Sequence, residues 1–187
     1  MPAASEIEGF WDFSVRTYRT EGVPDACLAL QNEYGADVNM LLYCAWVGAV
    51  LGPFDGQLFA AASGFSRDWA DNVVIPLRSA RTWMKHTGCT ADPVPTTECM
   101  KLRDKIKSVE FGAEKMQQEV LASFVAPEDR SGDAAEAVLE DIFANLVLYA
   151  DFVGFDVDDD VRGKLRVIFE AAFPGYAADA VAQSLTR

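Results

Sequence analysis

Asp37–Val50 reads DVNMLLYCAWVGAV, and this stretch decides the fold. From Met40 onward, apolar or small residues occupy every helical face, and a helix that is hydrophobic all round must be enclosed by other elements. Asp37 stands where an N-cap belongs, its carboxylate suited to the unpaired N–H groups of a first helical turn. On the N-terminal side, Glu6–Arg19 places Ile7, Phe10, Trp11, Ser14, Val15 and Tyr18 on one face, the stripe of an amphipathic helix. Val23–Gly35 is a second helix, with Pro24 in its first turn and a terminal glycine suited to a left-handed end. Connections this short make the three helices spatial neighbours.

On the C-terminal side, apolar positions keep recurring at steps of three and four, and strand-like alternation is absent. Asp55–His86 reads as a short helix, a break at Gly64, then a longer helix capped by Ser66 and kinked at Pro76, where a backbone hydrogen bond is lost. Beyond the loop holding Pro93 and Pro95, a helix over Glu98–Val125 carries Leu102, Ile106, Val109, Ala113, Met116 and Val120 in alternating steps, a heptad seam. Such a seam packs within a bundle or between two copies of the chain. The run APEDRSG, Ala126–Gly132, is a linker by composition. Asp133 with Glu136 forms a capping box, and two more helices follow Phe155 and Pro174. The expected fold is all-α: a multi-helix bundle of about eight helices around one central, fully apolar helix. Residues 1–125 form the bundle domain, and residues 126–187 form a helical extension packed on it.

Composition is that of an ordinary globular chain: 187 residues, 50% hydrophobic and 24% charged. Glu6 and Glu8 stand where a secretory leader carries Lys or Arg, so export is not expected. Met40–Phe54 is interrupted by Gly48, Gly52 and Pro53 and falls short of the roughly 20 apolar residues a membrane span needs. A cytoplasmic protein with no membrane contact is the reading. Cys27, Cys44, Cys89 and Cys99 have no CxxC spacing and read as reduced, buried thiols, with a Cys89–Cys99 bridge the lesser alternative.

Charge is segregated along the chain. Residues 1–66 hold two basic and eight acidic side chains, residues 67–107 eight and five, and residues 108–187 six and sixteen, within a net charge of −13. In the basic middle, Arg78, Arg81 and Lys85 share a helix face and are the candidate docking site for a small anionic ligand. The competing reading is that they pair internally with the acidic flanks. Nucleic acid is a poor partner for so acidic a chain.

Catalytic and metal signals are weak. His86, Cys89 and Cys99 make a three-ligand pattern with no fourth ligand, and Asp156, Asp158, Asp159 and Asp160 lack the glycine and glutamate of a calcium loop. Carboxylates opposing a helix dipole account for the latter. No metal, cofactor or catalytic residue is assigned. The aromatic residues, among them Trp11, Tyr18, Tyr43, Trp46 and Trp83, either line a pocket with Ser14, Gln31 and Asn39 as polar contacts or form core, the commoner outcome.

The string Phe10-Trp11-x-Phe13-Ser14, followed by Tyr18, Gly22-Val23, Cys27-Leu28-x-Leu30-Gln31 and Asp37-Val38-Asn39-x-Leu41-Leu42-x-Cys44-x-Trp46, resembles an uncharacterised helical family of bacterial proteins classed as a domain of unknown function. Val74-x-Pro76-Leu77-Arg78-x-Ala80-Arg81-x-Trp83 extends the resemblance, which runs from Phe10 to Phe124. It implies a cytoplasmic proteobacterial protein and supplies no activity. The expected function is a non-enzymatic interaction or regulatory module, with self-association or a protein partner at the heptad seam. The alternative is a binder or enzyme for a small anion at Arg78, Arg81 and Lys85.

Overall fold

The computed structural model describes residues 8–90, 93–126 and 133–175. Among these, every regular element is helical: α1 (Phe10–Tyr18), α2 (Val23–Tyr34), α3 (Val38–Val50), α4 (Gly56–Trp69), α5 (Ile75–His86), α6 (Thr96–Ser123), α7 (Ala135–Val153) and α8 (Asp159–Ala172). A π-helical turn, Ala70–Val74, joins α4 to α5 without a break in the helical backbone.

Helix α3 begins at Asp37, whose side chain accepts from the Asn39 N–H at 2.8 Å. It is buried along nearly its whole length. Helix α7 lies along it, and the approach is close because of Gly48: a Cβ there would stand 2.6 Å from the Ile142 side chain and 2.7 Å from the Ile142 Cα. Phe10, Leu30, Tyr43, Leu139, Ile142, Ile168 and Phe169 join one continuous apolar core drawn from α1, α2, α3, α7 and α8. Each such side chain contributes about 1.5–3 kcal/mol by leaving water. Asn145 of α7 closes the end of α3, accepting from the Phe54 N–H at 2.7 Å and donating to the carbonyls of Gly52 and Cys44 at 3.1 and 3.4 Å.

Several local expectations are revised. Gly64 does not break a helix; it lies exposed inside α4, where a single glycine costs only about 1 kcal/mol. The cap of α4 is Asp55, which accepts from the N–H groups of Gln57 and Leu58, so Ser66 is an interior residue rather than a cap. At Pro76 the chain accommodates the missing donor with the preceding π turn, in which the Ile75 N–H reaches back five residues to the Ala70 carbonyl. The extra residue advances the faces of α5 by about 100° relative to α4. Helix α7 starts from Ala134 with no side-chain cap bond, so Asp133 is not the N-cap. Asp158 caps α8 by accepting from the Val161 N–H at 2.9 Å, as the dipole reading of the acidic string requires. The linker residues 127–132 and the helix expected after Pro174 lie largely outside the described residues.

Helices α5 and α6 form an antiparallel pair, and Cys89 and Cys99 meet at its closed end as a disulfide with Cα atoms 5.3 Å apart. The reading of four reduced thiols is therefore corrected: Cys27 and Cys44 are free and buried, while the other pair is joined. The heptad seam also divides. Leu102, Val109 and Met116 are exposed, whereas Ala113 is buried, and the inward face of α6 is formed by Cys99, Glu110, Ala113, Gln117, Gln118 and Leu121. No described helix is long and apolar enough to cross a membrane.

Candidate functional site

The polar part of the inward face of α6, Glu110, Gln117 and Gln118, borders a cleft, while Leu121 near its end joins the core. This cleft holds about 1230 Å³ and is bounded by α1, α2, the start of α3, α4, the π turn, α5, α6 and α7. Its floor is a hydrogen-bonded network built outward from Asp37. The Asp37 carboxylate accepts from Ser66 Oγ at 2.8 Å and Gln117 Nε2 at 2.6 Å, besides capping α3. The Asp37 backbone N–H donates to the Tyr149 hydroxyl at 2.8 Å. Asn39 donates to Gln117 Oε1 at 2.8 Å and accepts from Gln118 Nε2 at 2.7 Å. Asn39, Ser66, Gln117 and Gln118 are all buried. Burying so many polar groups is tolerable only because almost every one is paired; Gln118 Oε1 is not, and neither is Ser14 Oγ of the same cleft, which has no hydrogen-bond partner among the described residues.

The wall formed by α5 and α6 is ionic. The Arg78 guanidinium spans three acceptors, Glu110 at 3.1 Å, Glu114 at 2.7 Å and Gln31 Oε1 at 2.5 Å. Arg81 binds both oxygens of Glu110, one of them at 3.0 Å. Burial pushes the Glu110 carboxyl up, but the bonds from Arg81 and Arg78 outweigh it and hold its pKa below the ordinary value. Glu114 lies on the other side of its ordinary value, raised chiefly by burial, which the single contact with Arg78 does not offset. Two carboxylates one helical turn apart thus have pKa values displaced in opposite directions.

Of the sequence candidates, Arg78, Arg81 and Lys85 all line the cleft, and the first two carry carboxylate partners from α6. Ser14, Gln31 and Asn39 line it too, with Trp11 and Tyr18. Phe10, Tyr43 and Trp46 instead pack together in the core, while Trp83 is 60% exposed. Cys89 and Cys99 bind each other, which removes both as thiolate ligands. Glu110, Glu114, Gln117 and Gln118 were not singled out by the sequence, although their steps of three and four mark one polar face of α6.

Among the described residues the architecture defines an all-helical protein with a cleft of mixed polar and apolar lining between its helices. Residues 9–121 match the family described as "Protein of unknown function (DUF2390)", and the chain belongs to that family. The match spans α1 to most of α6, and so holds the α3, α4, α5 and α6 side chains of the cleft, but stops short of α7 and Tyr149. No curated protein and no solved structure matches the chain.

Proposed function

We propose that the cleft is a binding site for a small polar molecule, and that the protein is a non-enzymatic module whose regulatory or interaction role depends on that ligand. The observation that carries this reading is the largely buried network of Asp37, Asn39, Ser66, Gln117 and Gln118, which borders a cleft yet leaves Gln118 Oε1 without a partner among the described residues; the Ser14 hydroxyl of the same cleft has none there either. Pockets of this kind fix a ligand with a few placed polar groups against apolar walls. In this proposal Arg78 and Arg81 are wall elements whose charge Glu110 and Glu114 balance; Lys85 remains the basic group of the original trio for which a ligand anion need not displace a carboxylate. The C-terminal helices α7 and α8 act as an extension that completes the core and adds Tyr149 to the floor. The resemblance supports a cytoplasmic, bacterial setting.

Native mass spectrometry after incubation with a protein-free small-molecule extract tests the proposal. A bound species of a few hundred daltons is expected on the wild type and absent from Ala70→Trp, which places an indole in the cleft. An unliganded mass for both proteins would overturn it.

A second reading rests on a separate surface. Leu102, Val109 and Met116 recur every seven residues on α6 and are each more than half exposed, at 54%, 57% and 51%. Such a stripe fits self-association. Sedimentation velocity of wild type against Val109→Glu distinguishes a dimer from a monomer.

A further inference from the structure

The hydrogen-bond polarity of the cleft floor is determined from one end. A carboxylate accepts only, so the Gln117 amide must turn its NH₂ toward Asp37, which directs Oε1 to Asn39 Nδ2. Asn39 therefore presents Oδ1 to Gln118, and Gln118 must answer with its NH₂. At the end of this chain stands Gln118 Oε1, an acceptor in a residue only 6% exposed and with no partner among the described residues. Reversing any one of these amides would set two acceptors or two donors against each other, so the negative charge of Asp37 fixes an acceptor at the far end.

Two further groups lie in the same cleft. Ser14 of α1, 3% exposed, has a hydroxyl with no partner among the described residues, and Glu114 of α6 lies one helical turn before Gln118. Arg78 reaches Glu114 only through Oε1, while Glu110 receives both Arg78 and Arg81. Trp11 and Phe111, whose rings meet edge to face at 5.6 Å, line the cleft between the same two helices. The chain's own Lys115 ammonium already stands 5.2 Å from the Trp11 ring centroid, and an acceptor amide, a hydroxyl and a partly compensated carboxylate lining the same cleft are complementary to a second cationic nitrogen.

We propose that the ligand presents a protonated amine to the wall formed by Ser14, Glu114 and Gln118, rather than an anion to the arginines. This rests on the reading of the cleft as a ligand site and names the chemistry of the occupant. Glu114 supplies the counter-charge, Gln118 Oε1 and Ser14 Oγ accept N–H hydrogen bonds, and the rings shelter the attached carbons. The upward displacement of the Glu114 pKa by burial agrees with a carboxylate short of a cation.

A matched pair of probes tests it: tyramine and 4-hydroxyphenylacetate share a ring and differ in the charge of the side chain, and inorganic phosphate serves as the bare anion. Binding is followed by two-dimensional amide NMR titration of the full chain. Tyramine is expected to shift resonances of α1 and α6, with affinity reduced about tenfold or more in Glu114→Gln and weakened in Ser14→Ala, whose amide spectrum otherwise matches wild type. Preferential binding of 4-hydroxyphenylacetate or phosphate would overturn the amine assignment while leaving the cleft as a ligand site. Binding of none of the three overturns it also; if the small-molecule extract still gives an adduct, the cleft reading survives, and if it does not, both fall.

Discussion

The two flanks of α3 are built on opposite principles. Against α7 the helix is dry and tight: Gly48 admits the Ile142 backbone, and Tyr43, Leu139 and Ile142 bury their side chains completely or nearly so. Against α4 and α6, at its N-terminal end, its cap Asp37 and its residue Asn39 bond to Ser66, Gln117 and Gln118 at the floor of a cleft of about 1230 Å³. Apolar packing of the first kind is sufficient to hold helices together, whereas a buried polar network is costly unless fully paired. Among the described residues an unpaired hydroxyl also lies in the dry flank, at Tyr43, so what sets the polar flank apart is that its unpaired groups, on Ser14 and Gln118, belong to residues lining a cleft.

The largest effect is expected where the dry flank is broken. Gly48→Val drives new methyl groups into the Ile142 backbone, which cannot move aside as a flexible side chain would, and should cost about 3 kcal/mol in urea unfolding. A loss below about 0.5 kcal/mol would mean that α3 and α7 are not in close contact.

Next comes the ionic wall. Glu110→Gln removes the acceptor shared by Arg78 and Arg81 and should cost about 2 kcal/mol at neutral pH. Because the folded-state pKa of Glu110 is lowered, its contribution is present above the unfolded-state value and lost as the pH falls through the folded-state value. The variant should therefore show a shallower acid limb in stability against pH. Glu114 has the reverse sign: its raised pKa favours the folded state while the group is protonated, and that contribution fades as the pH rises through the folded-state value. Glu114→Gln should flatten the profile above the ordinary carboxylate range. Unchanged limbs in both variants would show that the wall does not couple to folding.

What was legible in the sequence follows from how local each feature is. The enclosure of α3, the Asp37 cap and the left-handed end at Gly35 depend on one short segment each, and φ at Gly35 is 71°. The basic face of Arg78 and Arg81 was readable for the same reason. Its partners were not, because Glu110 and Glu114 arrive from another helix, about 30 residues away, once α5 and α6 fold back on each other. The same fold-back brings Cys89 to Cys99, which spacing alone does not establish. On α6 the apolar seam drew the eye, yet Leu102, Val109 and Met116 face outward, while the less conspicuous Glu110, Gln117 and Gln118 face inward. Apolarity marks the buried side of a helix only when what it packs against is itself a core.

The smallest expected effect is also the most telling. Ser14→Ala deletes a buried hydroxyl that has no hydrogen-bond partner among the described residues, so it should change the stability of the protein alone by less than about 0.5 kcal/mol. Differential scanning fluorimetry of wild type and Ser14→Ala, each with and without the small-molecule extract, places folding and binding in one measurement. Equal midpoints for the two proteins alone, with a rise on adding extract that is larger for wild type, are predicted if the unpaired groups serve a ligand. A lower midpoint for Ser14→Ala alone, with no response to extract in either protein, would contradict that assignment and make the polar flank part of the folding core.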